Sequence, residues 1–554
     1  MLGGRAPDLR PIKSGQSNPF SKLLFLSQVF VFFSGVENES DPSNRLPLLA
    51  GILFGFLVIF HLALAFQGKF LFRATHLGTA LEYGRHGVDL WHPIMVGFNA
   101  NGTPTAEELP IWQAIVGRIL HALGSQWFGW ANIVSLLLFT AGLWPFFQLA
   151  RAYTGDRVAW WATIFFLAQP LIFLSAGFGS TDGFCLTLTL WFLFFADKIV
   201  RTGKAIWWAP AVLFACLGAV SKAPFFMAAG LCSVGLLLLN RIRDWRRWVM
   251  LASSALVALA AFELWTVHTD HFAAQAEYPY YELRLSHSPQ IVYWYFGNLH
   301  TRLDAALWVK AGWRFLHATV GALPLTALLL AGLASRGNPM AKVWLAATLL
   351  TTLVFTHVVL VHWHYYLMCC PAVALLCGSV LARCDSIWAV HTPRACLRLS
   401  LLGVVLGLST IDGAITTKFS IFLDSYPASM ANLIRKHTQP SDKLILYGGF
   451  WGGEELFRAG RNGFYVYFLS DPKDVPTMRG LFDLLTSDKD LARLKELGYN
   501  KLVLMSESPV RFAAEAGNPA SQRKRYFYPE RLPEKVEAWP TIYRDPDLLI
   551  KQIP

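Results

Sequence analysis

Apolar segments of membrane-spanning length dominate this sequence. A helix that crosses a bilayer needs roughly 20 mainly apolar residues. About eleven such segments occur, at residues 47–66, 126–150, 158–177, 181–196, 206–221, 224–240, 248–267, 315–334, 343–361, 365–382 and 398–415. Because a bilayer offers no water to bond exposed backbone groups, such segments must be helical. The charged fraction of 15% agrees, since soluble domains average about 25%. The sequence therefore predicts a polytopic α-helical membrane protein.

Lysine and arginine residues in the short loops predict its orientation. Basic loops occur at residues 151–157, 197–204, 241–247, 336–342 and 383–398. The short loops on the other side, near 178–181 and at 362–364, have neither residue type. The positive-inside rule places the basic loops in the cytoplasm, and the long loops 67–125 and 268–314 outside the cell membrane. The basic loops also account for the net charge of +12 without nucleic-acid binding, which would require a basic stripe with interleaved aromatic residues.

The chain divides into three predicted parts. Residues 1–46 form a basic cytoplasmic segment, in which an interfacial helix and simple disorder of residues 1–18 are the alternatives. Residues 47–419 form the transmembrane domain. Residues 420–554 alternate between strand-like and helix-like patterns, which predicts a soluble α/β domain on the extracytoplasmic side. Its strand-like runs lie at 444–447, 464–468, 501–505 and 548–550, with helical segments at 428–437 and 488–497.

Cysteine and histidine spacing predicts neither a disulfide framework nor a zinc site. The eight cysteines lie in predicted spans or cytoplasmic loops, and none has a spacing typical of zinc ligands. His362 and His364 together offer two ligands, too few to define a metal centre. We therefore predict no firmly bound cofactor, while use of a divalent cation stays open.

Rare charged residues lie next to the apolar segments on one predicted face. Lys222 separates two apolar runs, and Asp182 separates two others. Ionisable groups are costly in such places, so they usually line a polar cavity or a membrane surface. In loop 67–125, residues 109–123 have helical periodicity with Pro110 at the first turn, which predicts a helix lying on the membrane. The same face holds further polar and aromatic side chains: His76, Glu108, His362, His364, Tyr365 and Tyr366.

Six short motifs resemble one family of membrane enzymes. They are Phe-Arg-Ala-Thr-His at 72–76, Glu-Tyr-Gly-Arg-His-Gly at 82–87, Trp-His-Pro at 91–93, Glu-Leu-Pro-Ile-Trp-Gln at 108–113, Ser-Lys-Ala-Pro at 221–224 and His-Tyr-Tyr-Leu at 364–367, followed by Pro371. In order and spacing they resemble GT-C membrane glycosyltransferases, closest to the protein-mannosyltransferase-like branch that includes aminoarabinose transferases. The resemblance covers roughly residues 47–415.

The resemblance implies a GT-C fold and transfer of a sugar from a polyprenyl-phosphate donor at the outer face. The acceptor would be a lipid, glycan or protein of the cell envelope. Lys222 and Arg73 would bind the donor phosphate, and Asp182, His364 and Tyr365 would bind substrate. Plainer interpretations remain: a snorkelling lysine and arginine at the interface, Asp182 as a helix cap, and Tyr365 as an interfacial aromatic residue.

The general base is the point at which the sequence departs from the family. Many relatives place an aspartate near the position of Thr75 and His76, where this chain has no carboxylate. A base is needed to take the proton of the acceptor hydroxyl. Glu108 and His76 are the two catalytic candidates, with Glu108 favoured because a carboxylate is the base in relatives.

Two other classes of protein remain as alternatives. A polytopic transporter or flippase typically has internal repeats and midplane polar residues in broken helices. The sequence shows no internal repeat, and its polar residues collect at one face. A non-catalytic envelope-assembly protein is the second alternative, because the family's aspartate is missing.

Overall fold

The computed structural model describes the central part of the chain almost continuously and the ends in pieces. The described residues are 45–66, 74–95, 97, 99–104, 108–124, 127, 129–176, 179–278, 286, 289–321, 323–335, 337–391, 403–404, 406–408, 410–411, 426–447, 454–466, 481–505, 532–545 and 548–554. Arg73 and nearly all of the predicted segment 1–46 therefore lie outside them. The predicted boundaries at residues 46 and 419 remain predictions.

Helices form almost all of the described chain up to residue 391. The first half contains α1 (Arg45–Ala65), α2 (Ala74–His86), α3 (Ile111–Leu123), α4 (Gly129–Thr154), α5 (Asp156–Ala168), α6 (Pro170–Ala176), α7 (Thr181–Thr202), α8 (Trp208–Ser221), α9 (Ala223–Leu239) and α10 (Trp245–Ala273). The second half contains α11 (Pro289–Phe296), α12 (Leu299–Leu303), α13 (Ala305–Thr319), α14 (Leu323–Ala334), α15 (Pro339–Val354), α16 (Thr356–Val361) and α17 (Cys370–His391). Two 3₁₀ segments, Ala205–Trp207 and Trp363–Cys369, precede α8 and α17.

Several of these helices are long and apolar enough to cross a membrane. Among the described residues they are Gly129–Thr154, Thr181–Thr202, Trp245–Ala273 and Trp363–Ser386. The pair α5 and α6 forms a fifth if it is one span, bent by 69°. Shorter apolar helices occupy most of the other predicted segments. The helical character of these segments is confirmed, and the number eleven remains a prediction.

The helix predicted at 109–123 is present as α3, but its surroundings differ from the prediction. Trp112 and Leu120 were expected to lie on the membrane surface, whereas both are buried in the protein. The indole of Trp112 donates a hydrogen bond to Ser135 Oγ on α4 at 2.9 Å. A Cβ at Gly117 would lie 2.6 Å from Ala80 O, so glycine allows α2 and α3 to pack closely. The two helices pack side by side and run in the same direction, since His76 contacts Gln113 and Gly84 contacts His121.

The C-terminal part is the predicted α/β domain. It contains α18 (Tyr426–His437), β1 (Lys443–Tyr447), α19 (Glu454–Ala459), β2 (Asn462–Val466), α20 (Leu481–Thr486), α21 (Asp488–Glu496), β3 (Lys501–Met505), α22 (Glu534–Glu537), β4 (Thr541–Arg544) and β5 (Leu548–Gln552). The strand order is β2-β1-β3-β5-β4. β1 is parallel to β2 and β3, while β5 is antiparallel to β3 and β4. The four predicted strands are confirmed, and β4 is an addition.

Two outer segments of the helical domain dock onto this sheet. Tyr465 N–H of β2 donates to Gly97 O at 2.8 Å, so the outer loop extends the sheet at that edge. The Tyr499 hydroxyl donates to Ala100 O at 2.9 Å. Behind α10, Glu277 accepts two 2.9 Å hydrogen bonds from Arg493 of α21. The described parts of loops 67–125 and 268–314 that make these contacts therefore lie next to the sheet. The predicted outward orientation of this side remains a prediction.

Candidate active site at a helix break

A break between two apolar helices places a lysine inside the protein. α8 ends at Ser221 and α9 begins at Ala223, and Lys222 between them has extended backbone angles of φ −165° and ψ 91°. Pro224 has no N–H and therefore cannot bond back to Val220 O as a continuous helix would require. The side chain of Lys222 is only 2% exposed. The sequence Ser-Lys-Ala-Pro thus interrupts the helix and buries a cation at the interruption.

The carbonyl freed by Pro224 anchors the outer loop. Leu109 N–H donates to Val220 O at 3.0 Å, which satisfies a backbone acceptor that would otherwise be unpaired. This tether brings the preceding residue, Glu108, to the break. Glu108 Oε1 lies 3.9 Å from Lys222 Nζ. One backbone hydrogen bond thus joins two segments that are more than a hundred residues apart in the sequence.

A second carboxylate approaches Lys222 from α7. Asp182 lies in the first turn of that helix and accepts a hydrogen bond from the Lys222 ammonium. Ser180 is the N-cap, because its Oγ accepts the Asp182 N–H at 3.1 Å, so the capping role considered for Asp182 belongs to Ser180. A Cβ at Gly183 would lie 2.5 Å from Ser175 O, so glycine lets the start of α7 pack against α6.

Aromatic rings complete the surroundings of the ammonium. The Tyr365 ring centroid lies 4.8 Å from Lys222 Nζ, and that of Phe225 lies 5.7 Å from it. Both distances fall within the range of cation–π attraction. The His364 ring contacts that of Tyr365 in a tilted arrangement, with ring centroids 4.8 Å apart, and lies next to His362. Tyr365 therefore belongs to the immediate site, and His364 forms a layer behind it.

The charges of this cluster have a chemical consequence. Lys222, Asp182 and Glu108 carry a formal net charge of −1 when all three are ionised. Buried charges persist only where partners offset the loss of hydration. Of the two carboxylates beside the ammonium, Glu108 has more access to solvent, at 12% side-chain exposure against 4% for Asp182. An ionised carboxylate beside a cavity is suited to accept a proton.

The break opens onto a cavity of about 560 Å³. Its polar end contains Glu108, Ser221 and Lys222, whereas Asp182 does not line it. Most of the remaining wall is apolar, formed by Ala223, Phe226, Met227, Leu231, Ala255, Leu259, Phe262, Ile291, Val292, Phe296 and Phe355, among others. Its further polar residues are Glu263, Thr266, Ser286 and Tyr295. Asp182 thus holds Lys222 from the protein side, while Glu108 and the lysine face the cavity.

His76 occupies a different position from the one predicted. It is 5% exposed, and Gln113 Nε2 of α3 donates to His76 Nδ1 at 2.6 Å. With Nδ1 as the acceptor, neutral imidazole has its proton on Nε2, so neither nitrogen is suited to take another proton. His76 does not line the cavity. The contact favours a role for His76 in holding α2 against α3.

Four of the seven predicted site residues therefore meet at the break: Glu108, Asp182, Lys222 and Tyr365. His364 contacts the ring of Tyr365, His76 lies between α2 and α3, and Arg73 lies outside the described residues. Sequence reasoning did not find the tether through Leu109 or the contact of Gln113 with His76. Pro224 could have indicated the tether, because a proline leaves the carbonyl four residues earlier without its helical partner.

The described residues contain no group of three or more His, Cys, Asp or Glu side chains placed to hold a metal ion.

Comparison with known proteins finds solved structures with a similar fold. No family model matches the sequence, and no curated protein matches it significantly. The crystal structure of ArnT from Cupriavidus metallidurans bound to undecaprenyl phosphate is similar over 91% of this chain and 98% of ArnT, with a TM-score of 0.55 and 16% identity. The apo structure of the same protein is similar over 90% and 97%, with a TM-score of 0.51 and 16% identity. At this identity the similarity establishes a shared fold, and it confirms the predicted GT-C architecture.

Proposed function

We propose that this protein transfers a sugar from a polyprenyl-phosphate donor to a hydroxyl group of an envelope lipid, glycan or protein. The observation that carries the proposal is the Glu108–Lys222–Asp182 cluster at the polar end of a largely apolar cavity. A cation for a phosphate, a carboxylate for a proton and an apolar wall for a lipid chain are the groups that such a transfer needs. The shared fold with ArnT, which has been crystallised with undecaprenyl phosphate, supports a lipid-phosphate ligand.

The donor lipid would lie in the cavity with its phosphate at Lys222. Most of the wall formed by α9, α10 and α11 is apolar, although Glu263 and Thr266 of α10 also line it. It can therefore accept a polyprenyl chain from the bilayer, as hydrophobic burial favours. The lipid chain cannot continue past the break, because Glu108 and Lys222 end the apolar wall. The charged phosphate would therefore stop beside the ammonium. Arg73 is proposed as a second phosphate ligand, because the planar guanidinium suits phosphate oxygens.

In the transfer step, the acceptor oxygen attacks the anomeric carbon of the donor sugar. The bond between that carbon and the phosphate oxygen breaks, and polyprenyl phosphate leaves with the electron pair. Glu108 takes the proton of the acceptor hydroxyl. Lys222 stabilises the negative charge that develops on the leaving phosphate. Direct displacement inverts the configuration at the anomeric carbon.

The remaining predicted residues have supporting roles in this proposal. Asp182 orients the Lys222 ammonium towards the cavity, and Tyr365 covers it with an aromatic face. His364, whose ring contacts that of Tyr365, would contact the sugar or acceptor. His76 would hold α2 against α3 through Gln113. The site and the α/β domain would face the extracytoplasmic side of the cell membrane, where sugars linked to lipids replace nucleotide sugars as donors.

Mass spectrometry of the producing cells tests this function. Cells that lack the protein should accumulate one polyprenyl-phosphate sugar and lose one sugar unit from an envelope lipid, glycan or protein. Complementation with the wild type should reverse both changes, and complementation with Lys204→Ala, a change at an exposed loop lysine, should do the same. Unchanged lipid-linked sugars together with an unchanged envelope would contradict a transferase. Accumulation of a substrate on the cytoplasmic side alone would favour a flippase.

A further inference from the structure

Two buried hydroxyl groups on the cavity wall have no hydrogen-bond partner among the described residues. They are Ser221 Oγ, at the end of α8, and Thr266 Oγ1, on α10. Each residue is only 4% exposed, and both line the cavity. A buried hydroxyl without a partner is costly and uncommon in native proteins. The two hydroxyls are therefore candidates for contact with a bound ligand.

Many other helical hydroxyls among the described residues satisfy themselves locally; Thr181 and Thr326 also have unpartnered hydroxyls, but neither lines the cavity. Thr187, Thr189 and Thr351 each donate to a backbone carbonyl four residues earlier. Ser254, on the same helix as Thr266, donates to Met250 O at 2.8 Å. This back-bonding is the usual arrangement for serine and threonine in apolar helices. Ser221 and Thr266 do not follow it, although each has helical residues before it.

The charge of the cluster explains why such hydroxyls are needed. Lys222 is shared between Asp182 and Glu108, so the three groups together do not attract an anion strongly. A phosphate at this end of the cavity needs further donors to offset the nearby carboxylates. Hydroxyl groups supply donors to phosphate oxygens without adding charge, and hydrogen bonds to an ionised acceptor are stronger than neutral ones. The start of α9, a helix of 17 residues, adds its positive end at the same point.

We propose that Ser221 Oγ and Thr266 Oγ1 donate hydrogen bonds to the phosphate of the lipid donor and form, with Lys222, a three-donor phosphate subsite. The identity of the lipid rests on the proposed function, while the subsite itself requires only a phosphate group at the end of an apolar chain. Ser221 precedes Lys222 directly, and α8 packs against α10, so the break that buries the ammonium also places the first hydroxyl. The two residues are binding residues and take no part in proton transfer.

Binding to the full-length protein in detergent tests the subsite. The probes are polyprenyl phosphate, the matching polyprenol without phosphate, and inorganic phosphate. Ser221→Ala and Thr266→Val should each weaken binding of polyprenyl phosphate by about tenfold, the usual effect of losing a hydrogen bond to a charged group. Binding of the polyprenol should not change. Thr266→Ser should bind like the wild type, because it keeps the hydroxyl.

Ser254→Ala is the matched control, since it removes a buried hydroxyl that is already bonded to the backbone. It should leave binding of polyprenyl phosphate unchanged. A parallel loss of inorganic phosphate binding in Ser221→Ala and Thr266→Val would also support the subsite, and would show that the phosphate is recognised without its chain. Wild-type affinity of both variants for polyprenyl phosphate would overturn the inference. So would an equal loss of affinity for the polyprenol, which would indicate a change in cavity shape.

The subsite and the proposed function fail in different ways. If the wild type transfers sugar and both variants keep its donor KM, the subsite is wrong and the function stands. If the variants lose phosphate binding while the wild type transfers no sugar, the subsite stands and the function is wrong. No binding of polyprenyl phosphate by the wild type would contradict both.

Discussion

The buried cations of the α/β domain and the buried lysine at the helix break have different kinds of partner. Lys551 is 1% exposed, and its ammonium donates to Glu537 O at 2.9 Å and Trp539 O at 3.1 Å. Arg461 is 7% exposed and donates to the carbonyls of Arg435 and Thr438. Backbone carbonyls are neutral and held in place by the fold, so these cations stabilise the local structure around them. Lys222 instead faces two carboxylates and a cavity.

The difference supports the helix break as the place of the proposed site. In the α/β domain the buried cations are surrounded by backbone acceptors, which leaves little for a ligand to gain. At the break, Lys222 is shared between two carboxylates. The hydroxyls of Ser221 and Thr266 beside it have no partner among the described residues. Such incomplete satisfaction is typical of binding and catalytic sites, because a ligand supplies the missing partners. We interpret the α/β domain as a support that holds the two outer segments, and the helix break as the site.

The largest expected effect concerns the general base. Glu108→Gln keeps the shape of the side chain but accepts no proton, so it should lower turnover by roughly 10²- to 10⁴-fold, the usual contribution of general base catalysis. Donor binding should change little. His76→Ala should have a milder effect, because His76 does not line the cavity. Single-turnover transfer from purified polyprenyl-phosphate sugar measures both.

Glu107→Gln, at the neighbouring position in the sequence, is the control for this substitution and should transfer sugar like the wild type. An active Glu108→Gln together with an inactive His76→Ala would move the base to His76. In that case turnover would also fall as the pH decreases through about 6.5, the reference pKa of imidazole.

The second effect concerns the fold of the α/β domain. Lys551→Met removes a donor from two buried carbonyls, each of which then costs about 1–3 kcal/mol. The free energy of unfolding of this domain should fall by roughly 2–4 kcal/mol, with transfer per folded molecule largely retained. Chemical denaturation and turnover, measured on the same sample, separate the two quantities. A stable but inactive Lys551→Met would contradict the supporting role of the domain.

The smallest effect concerns the contact between the α/β domain and the segment behind α10. Two hydrogen bonds from Arg493 hold the pKa of Glu277 below its ordinary value of 4.5. A carboxyl group with a lowered pKa stabilises the folded state above its unfolded pKa, and this contribution is lost as the pH falls through the folded pKa. The pair is partly exposed, so its contribution is at most about 1 kcal/mol.

Thermal unfolding as a function of pH measures this contribution. Glu277→Gln should slightly lower the midpoint temperature of unfolding at pH 7. Below about pH 4.5 it should lose less stability than the wild type does. Glu496→Gln removes another partner of Arg493, within the same turn of α21, and should have less effect on docking. Identical pH profiles for Glu277→Gln and the wild type would show that the ion pair does not stabilise the docked domain.

Local sequence patterns predicted much of the fold. β3 lies at the predicted residues 501–505 because its apolar run is continuous and bounded by polar residues. β4, at Thr541–Arg544, was missed because this edge strand is largely exposed and lacks an apolar run. Strand patterns reflect burial, so a strand with little burial leaves a weak signal. Helix α2 was also missed, although Leu77, Ala80 and Leu81 are buried on it at helical spacing.

The site was predicted less completely because its key contacts are tertiary. The cost of burying charge correctly indicated Lys222, Asp182 and Glu108 as residues that share one face. The pairing of Asp182 with Lys222 depends on the packing of α7 against the break, which the sequence does not specify. The unpaired hydroxyls of Ser221 and Thr266 could not be predicted either, because back-bonding to the helix is the usual expectation for both.

Removal of the Lys222 charge tests the central claim most directly. Lys222→Ala alone would leave Asp182 as a buried unpaired carboxylate, which destabilises proteins strongly. The double variant Lys222→Met with Asp182→Asn removes both charges and should fold like the wild type. Its rate of sugar transfer from polyprenyl phosphate should fall by roughly 30- to 1,000-fold, the effect of losing about 2–4 kcal/mol of stabilisation of the leaving phosphate. A folded double variant that transfers sugar at the wild-type rate would contradict the account.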